Sequence, residues 1–265
     1  MKKIKSLPME KAYLEAPEKH ERRYRQRSQS STMEVAVMIK AVNDILKELT
    51  STLAGPFAKF GYTLKKFRFF EMVGESGRTR RYTIDISKKK GWFSLHLTLQ
   101  ILDPVLMTRV NTVLDAALRD ERLEYPDSWS ESIIEKTIKT RTSNWVVAEL
   151  TDWRALKNPS EPLEHFNQRF SIWLYSFDNL DEKLDWKEQL LTSIDLAQRW
   201  FDQVDSNEWI CTNTDYPSFV LLNTEGLAQK LEDRYNATLK SAEDPGEVKL
   251  FYLHLSEQPI KDHEL

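Results

Sequence analysis

Two histidines and one aspartate are the residues whose types and predicted placement could perform acid–base chemistry. His96 lies in a run of strictly alternating apolar and polar residues, Phe93 to Ile101, and Asp85 lies in the preceding segment. His254 has a leucine on either side, which predicts a final strand. If these strands share a sheet, the three side chains meet on its polar face as a candidate general-base group. The alternative, which we favour, is ordinary solvated residues, because a half-exposed antiparallel sheet requires polar side chains on one face.

Other catalytic patterns are missing from the sequence. The histidines never occur at the i, i+4 spacing of a helical metal site, and Gly74 to Gly77 predicts a hairpin turn instead of a phosphate-binding loop. Cys211 has no histidine nearby in sequence, which favours a partly buried thiol over a nucleophile. The sequence therefore predicts no metal and no cofactor, and it argues against an enzyme.

Basic residues form two groups. Residues 1–30 hold nine Lys/Arg and four Asp/Glu, a net charge of +5. Since the whole chain has a net charge of −3, the remaining residues carry −8. This excess of basic residues predicts a flexible basic arm over residues 1–30. The second basic group, Lys88 to Lys90, lies at a predicted turn. Both could contact nucleic acid or an acidic protein surface, and the alternative for the arm is a solvated leader. The candidate binding residues are Arg22, Arg23, Arg25, Arg27, Lys88, Lys89 and Lys90.

Composition bounds the class of protein. The single cysteine excludes an internal disulfide and fits a reducing compartment. We find neither a secretory signal nor a run of about 20 apolar residues, so a cytoplasmic protein without a membrane span is expected. Eight tryptophans and twelve phenylalanines supply a core, and any tryptophan that remains exposed would mark a partner surface.

A three-strand antiparallel meander is the clearest predicted element. Its strands are expected at Phe67 to Val73, Arg80 to Ser87 and about Trp92 to Ile101, with Thr83 and Asp85 directed outward from the second. A helix is predicted to begin at a Ser31/Glu34 capping box and to lie across the dry face. The predicted fold class is α+β, an antiparallel sheet with helices packed on one face. Residues 31–265 form a single domain after the 1–30 arm, and a sub-boundary near 125 stays open.

The remaining segments alternate between helix and strand predictions. Helices are expected at Val105 to Leu123, Ser128 to Thr137, Asp181 to Val204 and Thr224 to Leu239. Strands are expected at Arg169 to Phe177, Ser218 to Leu222 and Glu247 to Leu255, and Trp145 to Leu150 fits a strand or a short helix.

One stretch resembles a known group of proteins. The unit Leu53 to Tyr62, then Lys65 to Phe69, Ile84 to Lys88 and Phe93 to Leu97, is similar in order to small uncharacterised bacterial helix-plus-meander domains found near toxin–immunity and mobile-element loci. Leu196 to Phe201 is similar to a helix of those domains. The resemblance implies a helix-plus-antiparallel-sheet fold and a non-catalytic binding role, and no functional residue is carried over.

The leading functional prediction is a cytoplasmic protein-binding module of the immunity, antitoxin or defence-associated kind, with a protein as its partner. Two alternatives stay open. One is an enzyme with a non-locally assembled, nuclease-like site, which a pocket around His96 and His254 would favour. The other is a nucleic-acid-binding accessory protein that uses the basic arm and Lys88 to Lys90.

Overall fold

The computed structural model describes residues 42–89, 92–174, 176–177 and 185–257. By its internal contacts the chain divides into two compact units, residues 1–45 and residues 46–265. In the first unit the structure describes only residues 42–45, which are helical. The predicted capping box at Ser31 lies outside the described residues. The described part of helix α1 covers residues 42–58.

An antiparallel sheet organises the second unit. Its strands are β1 (Thr63–Lys65), β2 (Phe69–Val73), β3 (Thr79–Lys89), β4 (Trp92–Leu102) and β5 (Val146–Leu150), paired in that order. A two-residue strand, β6 (Ser176–Phe177), pairs with β4 beside its start. The predicted meander is confirmed as β2, β3 and β4. The first strand was predicted two residues too early, because Phe67 belongs to the turn between β1 and β2.

The dry face follows the predicted alternation. The inward side chains of β4 are almost completely buried: Phe93, Leu95, Leu97, Leu99 and Ile101. Helix α1 packs there, and the Phe57 ring stacks on Phe70 at 4.6 Å between centroids. Helix α5 (Trp186–Val204) packs on the same side, where its Ser193 hydroxyl lies 2.8 Å from the Tyr82 hydroxyl. The α+β class with helices packed on one face is thus observed.

Trp153 closes the gap between β5 and β6 along β4. It is fully buried in a short 3₁₀ turn (Trp153–Leu156), and its indole N–H donates to the Leu97 carbonyl at 2.7 Å. This bond satisfies a strand carbonyl that no neighbouring strand reaches, as a buried polar group requires. The turn packs on Phe170, which follows helix α4 (Leu163–Arg169).

A second core lies among helices. Its buried side chains come mainly from α2 (Pro104–Leu118), α7 (Tyr216–Thr224) and α9 (Pro245–Glu257). The helices α3 (Glu131–Arg141), α6 (Asn207–Asn213) and α8 (Ala228–Ser241) complete it. Asp103 begins α2 as predicted, since its carboxylate accepts the Leu106 backbone N–H at 2.9 Å.

Three predicted strands are wrong. The segment Ser218 to Leu222 lies in α7, and Glu247 to Leu255 lies in α9. Within Arg169 to Phe177 the chain forms a 3₁₀ turn, Ile172–Leu174, and only Ser176–Phe177 is extended. All three are short and buried on several sides, so their apolar residues mimic the alternation of a strand.

Smaller corrections concern helix bounds and exposure. Helix α2 ends at Leu118 instead of Leu123, and Val105, expected in the core, is exposed. Helix α8 begins at Ala228, after a turn at Gly226 with a φ of 69°, instead of at Thr224. Trp145 to Leu150 resolves as strand β5. Thr83, expected outward and solvated, is only 5% exposed.

A buried ion pair fastens the β2–β3 turn to the end of α5. Asp205 is 1% exposed at its side chain, and its Oδ2 accepts Arg80 Nε at 2.8 Å. Its Oδ1 accepts the Ser76 hydroxyl of the turn. Gly74 is required at this approach, because a Cβ there would lie 2.2 Å from Asp205 Oδ2. Arg78 adds a bond to Asn207 at 2.6 Å.

Candidate functional site

Asp85 and His96, the candidate catalytic residues on the polar face of the sheet, are neighbours, but each forms its side-chain hydrogen bonds with other residues. Asp85 and His96 lie directly opposite each other in the β3–β4 ladder. The Asp85 carboxylate accepts Arg68 Nη1 at 2.9 Å, and both side chains are about half exposed. His96 Nε2 lies 2.9 Å from the Ser87 hydroxyl and 3.3 Å from that of Ser94. The face is therefore a set of cross-strand polar pairs.

This arrangement contains one element of nucleophilic catalysis. The Ser87–His96 contact has the distance of a nucleophile and its base. A triad also needs a carboxylate that orients the imidazole and donors that stabilise an oxyanion. Asp85 is instead held by Arg68, and neither Ser87 nor His96 lines the clefts at Met107, at Gln189 or at Thr238.

His254 does not join this group. The expected final strand is helix α9, and His254 Nε2 lies 2.8 Å from Asp120 Oδ2, after the end of α2. Arg122 binds the same carboxylate, and its hydrogen bonds hold the pKa of Asp120 well below its usual range. The contact links α9 to the segment after α2 in the helical part of the chain, so the predicted His96–His254 pair is wrong.

The predicted basic residues are only partly described. Arg22, Arg23, Arg25, Arg27 and Lys90 lie outside the described residues. The backbone of Lys88 and Lys89 forms the end of strand β3. The basic-patch hypothesis stays a prediction.

Large apolar side chains are exposed at the end of the sheet where β5 begins. Val73, Val105 and Trp145, here called the sheet-end patch, are 68%, 55% and 57% exposed. One row of paired residues joins their elements: Val73 faces Thr79, Thr79 faces Leu102, and Leu102 faces Val146. The Asp103 backbone N–H donates to the Trp145 carbonyl at 3.1 Å, which brings Trp145 to the start of α2.

A cleft of about 590 Å³ opens beside Trp145. The residues on either side of Trp145, Asn144 and Val146, line it, and α2 contributes an apolar wall that includes Met107 and Val110. Asn111 donates to the Asn144 carbonyl at 2.9 Å, while its buried Oδ1 has no hydrogen-bond partner. The cleft thus combines an apolar wall with polar lining residues, among them Asn111 and Asn144.

A rigid polar network forms the far side of this cleft. Arg141 binds both oxygens of Glu247 at 2.6 Å, and the Tyr216 hydroxyl donates to Glu247 Oε1 at 2.6 Å. Burial, followed by the bond to Glu247, raises the pKa of Tyr216, so this phenol stays a donor at neutral pH. The bidentate geometry fixes the guanidinium, and 40% of the Arg141 side chain remains exposed.

Cys211 has the properties of a structural thiol. It lies in α6 and is partly buried, and burial raises the pKa of its thiol. A nucleophilic cysteine requires the opposite shift. The partial burial agrees with the sequence analysis, and the absence of a nucleophilic role stays a prediction.

Metal-ion clusters and membrane-spanning helices are both missing from the described residues. No group of three or more His, Cys, Asp or Glu there is placed to hold a metal ion. None of the helices in these ranges is long and apolar enough to cross a membrane.

The sheet-end patch was not predicted residue by residue. Trp145 stands among seven tryptophans of the second half of the chain, and tryptophan is usually mostly buried. The available signal was the polar pair Ser143–Asn144 immediately before it, which favours a surface turn.

We expect acid to weaken the outer face of the sheet through Glu71. Burial alone would raise the pKa of this carboxyl, but hydrogen bonds from Lys65 and Arg81 outweigh burial and hold it below its ordinary value of 4.5. A pKa lowered by folding stabilises the fold above the unfolded-state value, and the contribution is lost as the pH falls through the folded-state value. Urea unfolding from about pH 6 to 3 should therefore show a shallower loss of stability for Glu71→Gln than for the wild type. Parallel curves would contradict this role of Glu71.

Comparisons with protein-family models, with curated proteins and with solved structures give no match to this chain. The resemblance to domains of toxin–immunity neighbourhoods stays a prediction.

Proposed function

We propose that this protein is a non-catalytic protein-binding module of the cytoplasm, of the immunity, antitoxin or defence-associated kind. The observation that carries the proposal is the sheet-end patch, an exposed tryptophan with two exposed valines beside a cleft. Large apolar side chains that stay exposed at one end of a sheet, next to a cleft, make that end a candidate interaction surface.

The chemistry of the patch fits a protein partner. Tryptophan and arginine are among the residues most often found at binding hot spots; Arg141 lines the cleft, and Trp145 stands between two of its lining residues, Asn144 and Val146. A partner side chain that enters the cleft would contact the wall at Met107 and Val110. The Arg141–Glu247 pair needs no rearrangement on binding, which reduces the cost of ordering the surface.

The Ser87–His96 contact favours a second candidate, a hydrolytic enzyme. Its weakness is chemical, because the imidazole is exposed on a flat face and the nearby carboxylate is engaged by Arg68. We therefore rank this candidate below the binding module.

The test is affinity capture from the native host, followed by titration of the captured partner. Trp145→Ser should weaken binding about thirtyfold or more, the scale of a hot-spot residue. His96→Ala should leave binding and activity in the host unchanged. Trp129→Ser is the matched control, since Trp129 is 38% exposed but stacks on Tyr125 and is not part of the sheet-end patch.

Two results would contradict the proposal. One is complete loss of host activity in His96→Ala with normal circular dichroism, which would promote the enzyme. The other is equal partner affinity for Trp145→Ser and the wild type.

A further inference from the structure

Strand β3 is longer than its neighbour β2, and beyond β2 its edge is not paired with any strand of the described residues; this stretch is called the open edge. The β2–β3 pairing ends at Phe69 opposite Thr83, while β3 continues to Lys89. The last bond across this ladder runs from the Ile84 N–H to the Arg68 carbonyl at 3.0 Å. In the described part of the chain no strand lies beside β3 beyond that bond.

The direction of the backbone groups follows from the same bond. Successive residues of a strand direct their N–H and C=O groups to opposite sides. Since Ile84 faces the β2 side, Ile86 and Lys88 face it too, whereas Asp85 and Ser87 face β4. The open edge therefore presents the backbone donors and acceptors of Ile86 and Lys88 in the spacing that an added strand requires.

The β1–β2 turn lies against this edge and supplies side chains. Arg68 of the turn bonds Asp85 of β3, which places the turn beside the first residue of the open stretch. Phe67, at the tip, is 71% exposed, the largest exposure among the exposed large apolar residues of the described chain. Lys66 and Phe67 have φ values of 50° and 56°, a left-handed pair that defines the tip.

Charge favours an acidic occupant. The turn contributes Lys65, Lys66 and Arg68, and the sequence of the open stretch adds Lys88 and Lys89. Two carboxylates offset them, since Glu71 binds Lys65 at 3.0 Å and Asp85 binds Arg68 at 2.9 Å, which leaves a net charge of +3. Lysines on a free edge discourage pairing with a second copy of the same edge, because like charges would meet. They attract a strand that carries carboxylates.

We propose that the open edge of β3, from Asp85 to Lys89, binds an extended acidic segment of a partner protein by strand addition, with Phe67 as an apolar contact beside it. This inference rests on the proposed binding function but uses the end of the sheet opposite to the sheet-end patch. The two surfaces can therefore fail independently. Backbone bonds would supply affinity and the basic residues would supply selectivity.

The experiment uses a synthetic probe, a labelled peptide of about eight residues with alternating valine and glutamate. The full chain should bind it saturably, bind a valine–lysine peptide of equal length at least about tenfold more weakly, and lose affinity as salt is added. In amide hydrogen exchange followed by NMR, the glutamate peptide should protect the Ile86 and Lys88 amides. The amides of Asp85 and Ser87, already directed at β4, should change little.

Matched variants separate the backbone from the side chain. Ile86→Pro removes one outward N–H without removing a bond to β4 and should weaken the peptide about tenfold or more, whereas Ile86→Ala keeps the donor and should bind within about threefold of the wild type. Thermal unfolding of both variants checks the fold. If Ile86→Pro does not fold, the exchange protection in the wild type decides.

Three results would overturn the inference. They are no saturable binding below about 1 mM, equal binding of the two peptides, or protection that omits Ile86 and Lys88. Tighter binding of single-stranded oligothymidylate, or a dimer that Ile86→Pro dissolves, would assign the edge to nucleic acid or to a second copy. Peptide binding that survives Trp145→Ser would leave this edge established whatever becomes of the sheet-end patch.

Discussion

Leu97→Asp is expected to abolish folding of the soluble protein. Leu97 is 2% exposed on the dry face of β4, opposite Ile84 in the ladder, and its carbonyl accepts the Trp153 indole. A carboxylate at this position would lose its hydration among apolar neighbours such as Ile84 and Trp153, a cost of several kcal/mol. That cost is comparable to the whole stability of a domain, so the variant should be insoluble or should unfold without a cooperative transition.

The matched control is Thr98→Asp, one residue along the same strand and directed at the outer face. Its carboxylate would reach water, and the expected change is within about 1 kcal/mol. The measurement is soluble yield followed by thermal unfolding of both variants. Equal yield and equal melting temperature would overturn the register of β4.

Asp205→Ala is expected to cost about 3 to 5 kcal/mol of unfolding free energy. The change leaves the Arg80 guanidinium, 13% exposed, without its buried partner and removes the acceptor of the Ser76 hydroxyl. Removal of one member of a buried pair is costly because the remaining charge stays desolvated. The β2–β3 turn should detach first, since this contact fastens it to α5.

Asp202→Ala provides the control, because Asp202 binds the same guanidinium from the surface. Its side chain is 68% exposed and lies 2.7 Å from Arg80 Nη1. An exposed pair contributes at most about 1 kcal/mol. Urea unfolding at neutral pH measures both variants, and a loss for Asp205→Ala no greater than that for Asp202→Ala would show that burial does not govern the pair.

The meander was predictable because its strands are buried on one side only. Along β4 every second residue from Phe93 to Ile101 is buried, and that alternation is visible in the sequence itself. Helix α9 gave the opposite result. Val248, Leu250, Phe251 and Leu255 are all buried, so the helix has no wide polar stripe and its periodicity is lost. The prediction of a strand there followed from the short alternation around His254.

The candidate site was less predictable than the fold, for a related reason. His96 and Asp85 were expected on one polar face of neighbouring strands, and the ladder places them directly opposite each other. The partners that decide their chemistry, Arg68 and Ser87, depend on side-chain rotamers and on the unpredicted strand β1. The exposure of Trp145 depends on how the start of α2 meets β5. These two segments are about 40 residues apart in the chain, and local periodicity does not predict contacts between distant segments.

The left-handed pair at the β1–β2 tip has a consequence for how this chain would evolve in the laboratory. Lys66 and Phe67 occupy a conformation that asparagine and glycine adopt with little strain, and each non-glycine residue there costs about 1 to 2 kcal/mol. A library selected for thermal tolerance alone should therefore replace Phe67 by glycine early. If the tip contacts the proposed partner segment, a library selected in the host should retain the aromatic ring and accumulate its stabilising changes elsewhere, as expected where stability and activity oppose each other.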